Sequence, residues 1–208
     1  MIDAELVSKW AEDYAPEPEH IRAARSVALD HGVISVSPAT GSYLASVVAM
    51  TRAQAIVEIG TGLGVSGMWL LHGTADASIT TIDTDVDHQQ TARDLMLEAG
   101  IASSRVRTIS GDAFDVLPRM NDGSYDLVVV DADPAHVVEL TKHALRLVRQ
   151  GGVVVVPHAS HGGSVANPAK RDAVTSALRT VLGDYAVDDS VTASVMPVGD
   201  GVLTLVKN

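Results

Sequence analysis

Residues 56–66, Ile56-Val57-Glu58-Ile59-Gly60-Thr61-Gly62-Leu63-Gly64-Val65-Ser66, decide how the rest of the chain is read. An apolar run rich in β-branched residues, interrupted by one acidic side chain, gives way to three glycines at alternate positions. That is the pattern of a strand, a tight loop and a helix. Alternate glycines let the backbone turn sharply and approach a ligand where a Cβ would collide, and they leave the first amides of the next helix free to face it. Glu58 departs from a phosphate site, because a carboxylate at the strand end suits a ribose hydroxyl or a cationic group better than a phosphate.

Downstream of this stretch, strands and helices alternate without long gaps. Strands are expected at 54–59, 78–82, 104–109, 125–130 and 151–157, and helices near 64–73, 86–99, 112–119, 135–149 and 168–182. Runs such as Leu127-Val128-Val129-Val130 and Val153-Val154-Val155-Val156 are apolar throughout, so both faces of their sheet should be covered. The alternation predicts an α/β, doubly wound, mostly parallel sheet with helices on both sides. After 182 the pattern changes to two extended runs, Tyr185 to Pro197 and Val202 to Lys207. The Asp200-Gly201 pair between them marks a hairpin, which would bring the last strand in antiparallel and make seven strands in all.

Upstream, Asp3 to Tyr14 and Glu17 to His31 read as helices separated by Pro16 and Pro18, and Gly32 closes the second. They are expected to pad a sheet edge or a partner subunit, or else to form a lid. Val33 to Ser37 reads as a loop, and Pro38 opens a helix to about Thr51. The whole chain, 1–208, is read as one domain, with N-terminal helices in 1–51 and the doubly wound core in 52–208.

The formal charge of -11 repels polyphosphate, which disfavours nucleic acid and favours a small molecule. The absence of cysteine excludes disulfides and thiolate chemistry. The opening residues lack the pattern of a secretion signal, and no apolar run is long enough for a membrane span, so a soluble, cytoplasmic protein is expected.

In a doubly wound sheet, ligands bind beyond the carboxyl ends of the strands, where the strand order reverses. Each predicted strand end is polar: Glu58 and the glycine loop, then Asp83-Thr84-Asp85, Gly111-Asp112-Ala113, Asp131-Ala132-Asp133 and Pro157-His158. Asp83 lies 23 residues after Gly60, where an acidic side chain can accept hydrogen bonds from both ribose hydroxyls. Asp85, Asp112 and Asp133 equally suit helix caps. Gly62-x-Gly64-x-x-Gly67 formally fits a dinucleotide fingerprint, which keeps a nicotinamide-dependent oxidoreductase open. Glu58 beside a pyrophosphate, and a terminal hairpin that such a fold does not need, weigh against it. The cofactor inferred from Glu58 and the glycine loop is S-adenosylmethionine.

Glu58 to Gly64 with Ser66, Ile82 to Asp85, Val130 to Asp133, Gly151-Gly152 and Met196 to Gly201 together resemble the small bacterial O-methyltransferases related to the catechol and caffeoyl-coenzyme A enzymes. The resemblance runs from about Ser37 to the end and implies a Rossmann-like class I methyltransferase fold, commonly a homodimer, acting on a hydroxyl of a small molecule. It implies that the methionine moiety of the donor lies near Ser37, Gly60 and Ser66, the ribose on Asp83, and the adenine beside Asp112 and Ala113. Thr61, Gly62, Gly64, Thr84 and Gly111 complete the expected donor site, and Asp131 would be the first metal ligand.

Three positions, in two places, depart from that family. Its metal-completing Asp-Asn pair reads Pro157-His158 here, and the lysine after its Asp-Ala-Asp segment is Pro134. Asp131 and His158 are the remaining candidate metal ligands, but a hard cation prefers an oxygen-rich shell, so a divalent metal is not expected to act as in the family. Methyl transfer to oxygen still requires removal of a proton, and the unperturbed imidazole pKa suits that task near neutral pH. His158 is the first candidate base, facing Asp131, with His136 and His161 behind it. A donor-binding module without catalysis remains the rival reading. With one Phe and two Trp in the chain, no aromatic clamp for a flat acceptor is evident.

Overall fold

The computed structural model describes residues 4–208. Its described residues form a seven-stranded sheet and eight α-helices. The expected first helix begins at Ala4, and Asp3 lies outside the described residues. Three helices precede the sheet: α1 (Ala4–Tyr14), α2 (Glu19–Asp30) and α3 (Pro38–Thr51). The core then runs β1 (Ala55–Ile59), α4 (Val65–His72), β2 (Ser78–Asp83), α5 (Val86–Glu98), β3 (Val106–Ser110), α6 (Ala113–Val116) and β4 (Tyr125–Val130). It ends with α7 (Val137–Leu147), β5 (Val148–Pro157), α8 (Ala173–Ala186), β6 (Val191–Met196) and β7 (Val202–Lys207). No described helix is long and apolar enough to cross a membrane.

The strand order is β3-β2-β1-β4-β5-β7-β6. β1 to β5 are parallel, while β7 pairs antiparallel with both β5 and β6, as the Asp-Gly hairpin predicts. Strand side chains alternate between faces. Ile56, Val129, Val153 and Val155 therefore enter one core with α2, α3 and α4, and Val57, Val128, Val154 and Val156 enter the other with α7 and α8. This is why Leu127–Val130 and Val153–Val156 are apolar at every position.

Several boundaries differ from expectation, three of them with a clear local cause. The helix expected from 168 starts at Ala173, because Asp172 caps it by accepting from Thr175 N at 2.9 Å, and the preceding residues form a turn-rich loop. That helix continues to Ala186, so Tyr185 packs against the second core instead of starting a strand. β5 begins at Val148, three residues before the Gly151-Gly152 pair that was expected to open it. Val148 pairs with Tyr125 and the register shifts before Leu127, an irregularity that Gly151 accommodates at φ 72°.

Candidate functional site

The strand order reverses between β1 and β4, and their carboxyl ends are joined by Asp131 N donating to Ile59 O at 2.8 Å. Gly60 turns away at φ 99°, and its own N–H donates across to Ile82 O at 2.8 Å. A cavity of about 530 Å³ opens above this junction. The loop after β1 contributes Gly60, Thr61 and Gly62, the first turn of α4 contributes Ser66, and the end of β2 contributes Asp83 with Thr84 beyond it. Beyond β3 come Gly111, Asp112 and Ala113, and β4 contributes Asp131.

Asp83 shapes the loop as well as the wall. Its Oδ2 accepts from Thr61 N at 2.8 Å and Gly62 N at 3.0 Å, and its Oδ1 accepts from Asp85 N at 3.0 Å. Behind the loop, Gln89 Nε2 donates to Ile109 O at 2.8 Å and reaches Thr61 Oγ1 at 3.4 Å, while Ser110 Oγ donates to Gln89 Oε1 at 2.5 Å. This polar network ties the first three strand ends together.

Three residues expected to hold the donor do not line the cavity. Glu58 is fully buried beneath it and accepts from Ser66 Oγ and Thr81 Oγ1, each at 2.7 Å. Burial pushes its carboxyl up to about 8, above neutrality, so it is a packed structural acid and no ligand for a ribose or a cation. Ser37 caps α3, accepting from Thr40 N at 3.2 Å and donating to Glu12 at 2.7 Å. Its place before Pro38 fits a cap better than a ligand contact. Gly64 starts α4 at φ 84°, where a Cβ would press on Ala92 and Met96. Gly67, the last residue of the dinucleotide fingerprint, likewise serves packing, since a Cβ there would meet Met96 at 2.7 Å. The caps at Asp85, Asp112 and Asp133 are all formed, and Asp112 and Asp133 line the cavity as well.

A second cavity of about 330 Å³ adjoins the first and shares Ile34, Asp131, Ala132 and Asp133 with it. Val137, Val156 and Leu178 form apolar walls, and His158, His161 and Asp200 supply polar groups. His158 holds a left-handed backbone at φ 57° and faces two carboxylates, with Nε2 3.8 Å from Asp131 Oδ1 and Nδ1 3.7 Å from Asp200 Oδ2. Burial raises the Asp131 carboxyl above the usual carboxylate range, and the adjacent His158 opposes that shift. The hairpin fixes the histidine loop: Asp200 Oδ1 accepts from Ser160 Oγ and from Gly162 N at 2.8 Å, and Ser160 N donates to Asp200 O at 2.9 Å. From the other side, Arg179 donates to Ser164 O and Val165 O, each at 3.0 Å.

Asp131 and His158 thus meet, but among the described residues no three His, Cys, Asp or Glu side chains converge to hold a metal ion. Pro157 brings no side-chain donor, and Asp200 spends one oxygen on the histidine loop. This donor set does not fit the family's hard divalent cation. His136 lines the first cavity, edge-on to Phe114 at 5.4 Å, whereas His161 lines only the second. Asp200, Ile34, His88 and Phe114 were not singled out from sequence. The hairpin motif around Asp200 offered a signal, and the others had none, because only folding brings them to the strand ends.

The sequence pattern of the O-methyltransferase family matches residues 13–208. A Mycobacterium marinum protein, provisionally named an O-methyltransferase, is 44% identical over 206 residues, which cover 99% of this chain and 92% of that one. Among solved structures, a Corynebacterium glutamicum protein has a TM-score of 0.89 at 27% identity, covering 98% of this chain and 96% of its own. TomG from Streptomyces achromogenes, an O-methyltransferase involved in tomaymycin synthesis and solved in complex with SAM, has a TM-score of 0.85 at 29% identity over 100% of both chains.

Proposed function

The chain belongs to the O-methyltransferase family, and on that premise we propose that it methylates a hydroxyl of a small molecule. S-adenosylmethionine occupies the larger cavity and the acceptor the smaller one. The observation that carries this reading is that the two cavities meet at Asp131, so that a donor and an acceptor would face each other across one carboxylate.

The larger cavity fits the donor on chemical grounds. Gly60 and Gly62, at φ 99° and 47°, form a cradle without side chains, and Asp83, Asp112 and Asp131 suit ribose hydroxyls and a cation. The bound donor supplies an electrophilic methyl group on a positively charged sulfur. The protein's part is to align the acceptor oxygen with that methyl and to remove one proton. His158 takes the proton, and Asp131 and Asp200 stabilise the imidazolium that results. Asp200 and the strained loop backbone keep the ring from turning away.

Incubation with S-adenosylmethionine and 3,4-dihydroxybenzyl alcohol tests the reading. Methylated product should form with chelator present, and His158→Ala should reduce turnover by roughly 100-fold or more, as the loss of a general base does, while S-adenosylhomocysteine still binds. Activity that disappears with chelator and returns with magnesium would overturn the role given to His158.

A homodimer built on α1 is part of the proposal. The helix turns Val7, Trp10 and Tyr14 to solvent, with Trp10 64% and Tyr14 74% exposed, a surface that a second copy would cover. Sedimentation of a single 21.7 kDa species at micromolar concentration would rule it out.

A further inference from the structure

We propose that the smaller cavity admits neutral or amine-bearing hydroxylated molecules and rejects acceptors carrying a carboxylate, a phosphate or a coenzyme A tail. The inference rests on the methyl-transfer reading above and adds the charge class of the acceptor to it.

Charge inside the cavity is one-sided. Asp131, Asp133 and Asp200 line it, His158 and His161 are its basic side chains, and among the described residues no Lys or Arg lines either cavity. Arg179, on the far side of the histidine loop, is engaged by the loop carbonyls, and Lys207 and Arg149 lie at the opposite, amino-terminal end of β5, where they bond to Val148 O and Asp126. His158 offers no anion site either. Its two ring nitrogens already face carboxylates, so a proton on the ring is neutralised by groups in place.

A metal-assisted site carries similar carboxylates, but there the cation cancels their charge. Here Pro157-His158 replaces the ligand pair and, among the described residues, no group of three ligands forms to hold a metal ion, so no bound cation offsets the carboxylates. The walls formed by Val137, Val156 and Leu178 lower the local dielectric and strengthen the field at that point. An entering anion would meet like charge with no Lys or Arg in the lining to receive it, which discriminates by repulsion. A protonated amine would be drawn in, and a neutral phenol or alcohol would meet neither effect. The net charge of -11 extends the same preference to the approach from solvent.

The test is calorimetry on the full chain saturated with S-adenosylhomocysteine, in chelator, with three probes of matched size: 3,4-dihydroxybenzylamine, 3,4-dihydroxybenzyl alcohol and 3,4-dihydroxybenzoate. The amine and the alcohol should bind, and the benzoate should bind at least tenfold more weakly than the alcohol. Raising the salt concentration should narrow that gap. Asp200→Asn should narrow it too, since the amide oxygen can still accept from Ser160 and Gly162 while the charge is gone. Benzoate binding as tight as the alcohol, a gap indifferent to salt, or no binding of any probe would overturn the inference. The heat of S-adenosylhomocysteine binding separates the two claims: its absence defeats the methyl-transfer reading, whereas its presence with charge-blind acceptor binding defeats only this one.

Discussion

Gly60 and Asp131 meet through their backbones, so that a Cβ on Gly60 would overlap the carbonyl oxygen of Asp131. The close approach joins the ends of β1 and β4, the strands between which the sheet order reverses, and both cavities open from that junction.

Gly60→Ala should therefore push the two strand ends apart and misplace the loop that follows. The backbone at φ 99° adds strain for any residue with a side chain. Calorimetric affinity for S-adenosylhomocysteine is expected to fall at least tenfold, a loss of about 1.4 kcal/mol. An unchanged affinity would show that this loop is not the donor cradle.

Asp83→Ala removes the acceptor for Thr61 N and Gly62 N together with a wall of the larger cavity. The cost should be about 1–3 kcal/mol for the unsatisfied donors, seen both as a lower melting temperature and as weaker donor binding. Asp83→Asn keeps an oxygen facing the two amides and should recover most of the melting temperature. Equal losses in the two variants would argue that charge, not loop geometry, is what Asp83 contributes.

Glu58 gives the protein a pH-dependent stability. Its carboxyl lies at about 8 in the folded chain against 4.5 as the reference value, so the folded state retains a proton that the unfolded state releases. Its contribution is full below the reference value and is lost as pH rises through that window, with a limiting slope of about 1.4 kcal/mol per pH unit. Glu58→Gln resembles the protonated acid and should flatten the decline. Urea unfolding at about pH 5 and about pH 8 compares the slopes, and identical slopes in parent and variant would remove Glu58 as their source.

Gly41 on α3 makes room for the indole of Trp69, which a Cβ at that position would overlap. Gly41→Ala should destabilise by about 1–3 kcal/mol through overpacking, read as a lower melting temperature, with affinity for S-adenosylhomocysteine retained by the protein that stays folded. A melting temperature equal to the parent's would mean that α3 and α4 separate at little cost.

Local pattern alone carried much of this protein. Period and turn chemistry were enough for the order of strands and helices, the parallel sheet and the terminal antiparallel hairpin, because apolar runs, glycines and the Asp-Gly pair act over a few residues. The glycine loop, Asp83, Asp112 and Asp131 were likewise legible, since each closes a strand at the ligand end of the sheet. What a side chain does there was decided by tertiary structure. Glu58 reads from sequence as a ligand carboxylate, yet the alternation of the strand turns it down toward Ser66 and Thr81, where burial keeps its proton. Ser37 is placed at the donor by the family resemblance, but its geometry serves α3. Asp200 is 42 residues from His158, and only the antiparallel entry of β7 beside β5 brings the hairpin against the histidine loop. Strand periodicity is a property of neighbours along the chain, whereas the charge and shape of the two cavities arise from strand ends that pairing brings together.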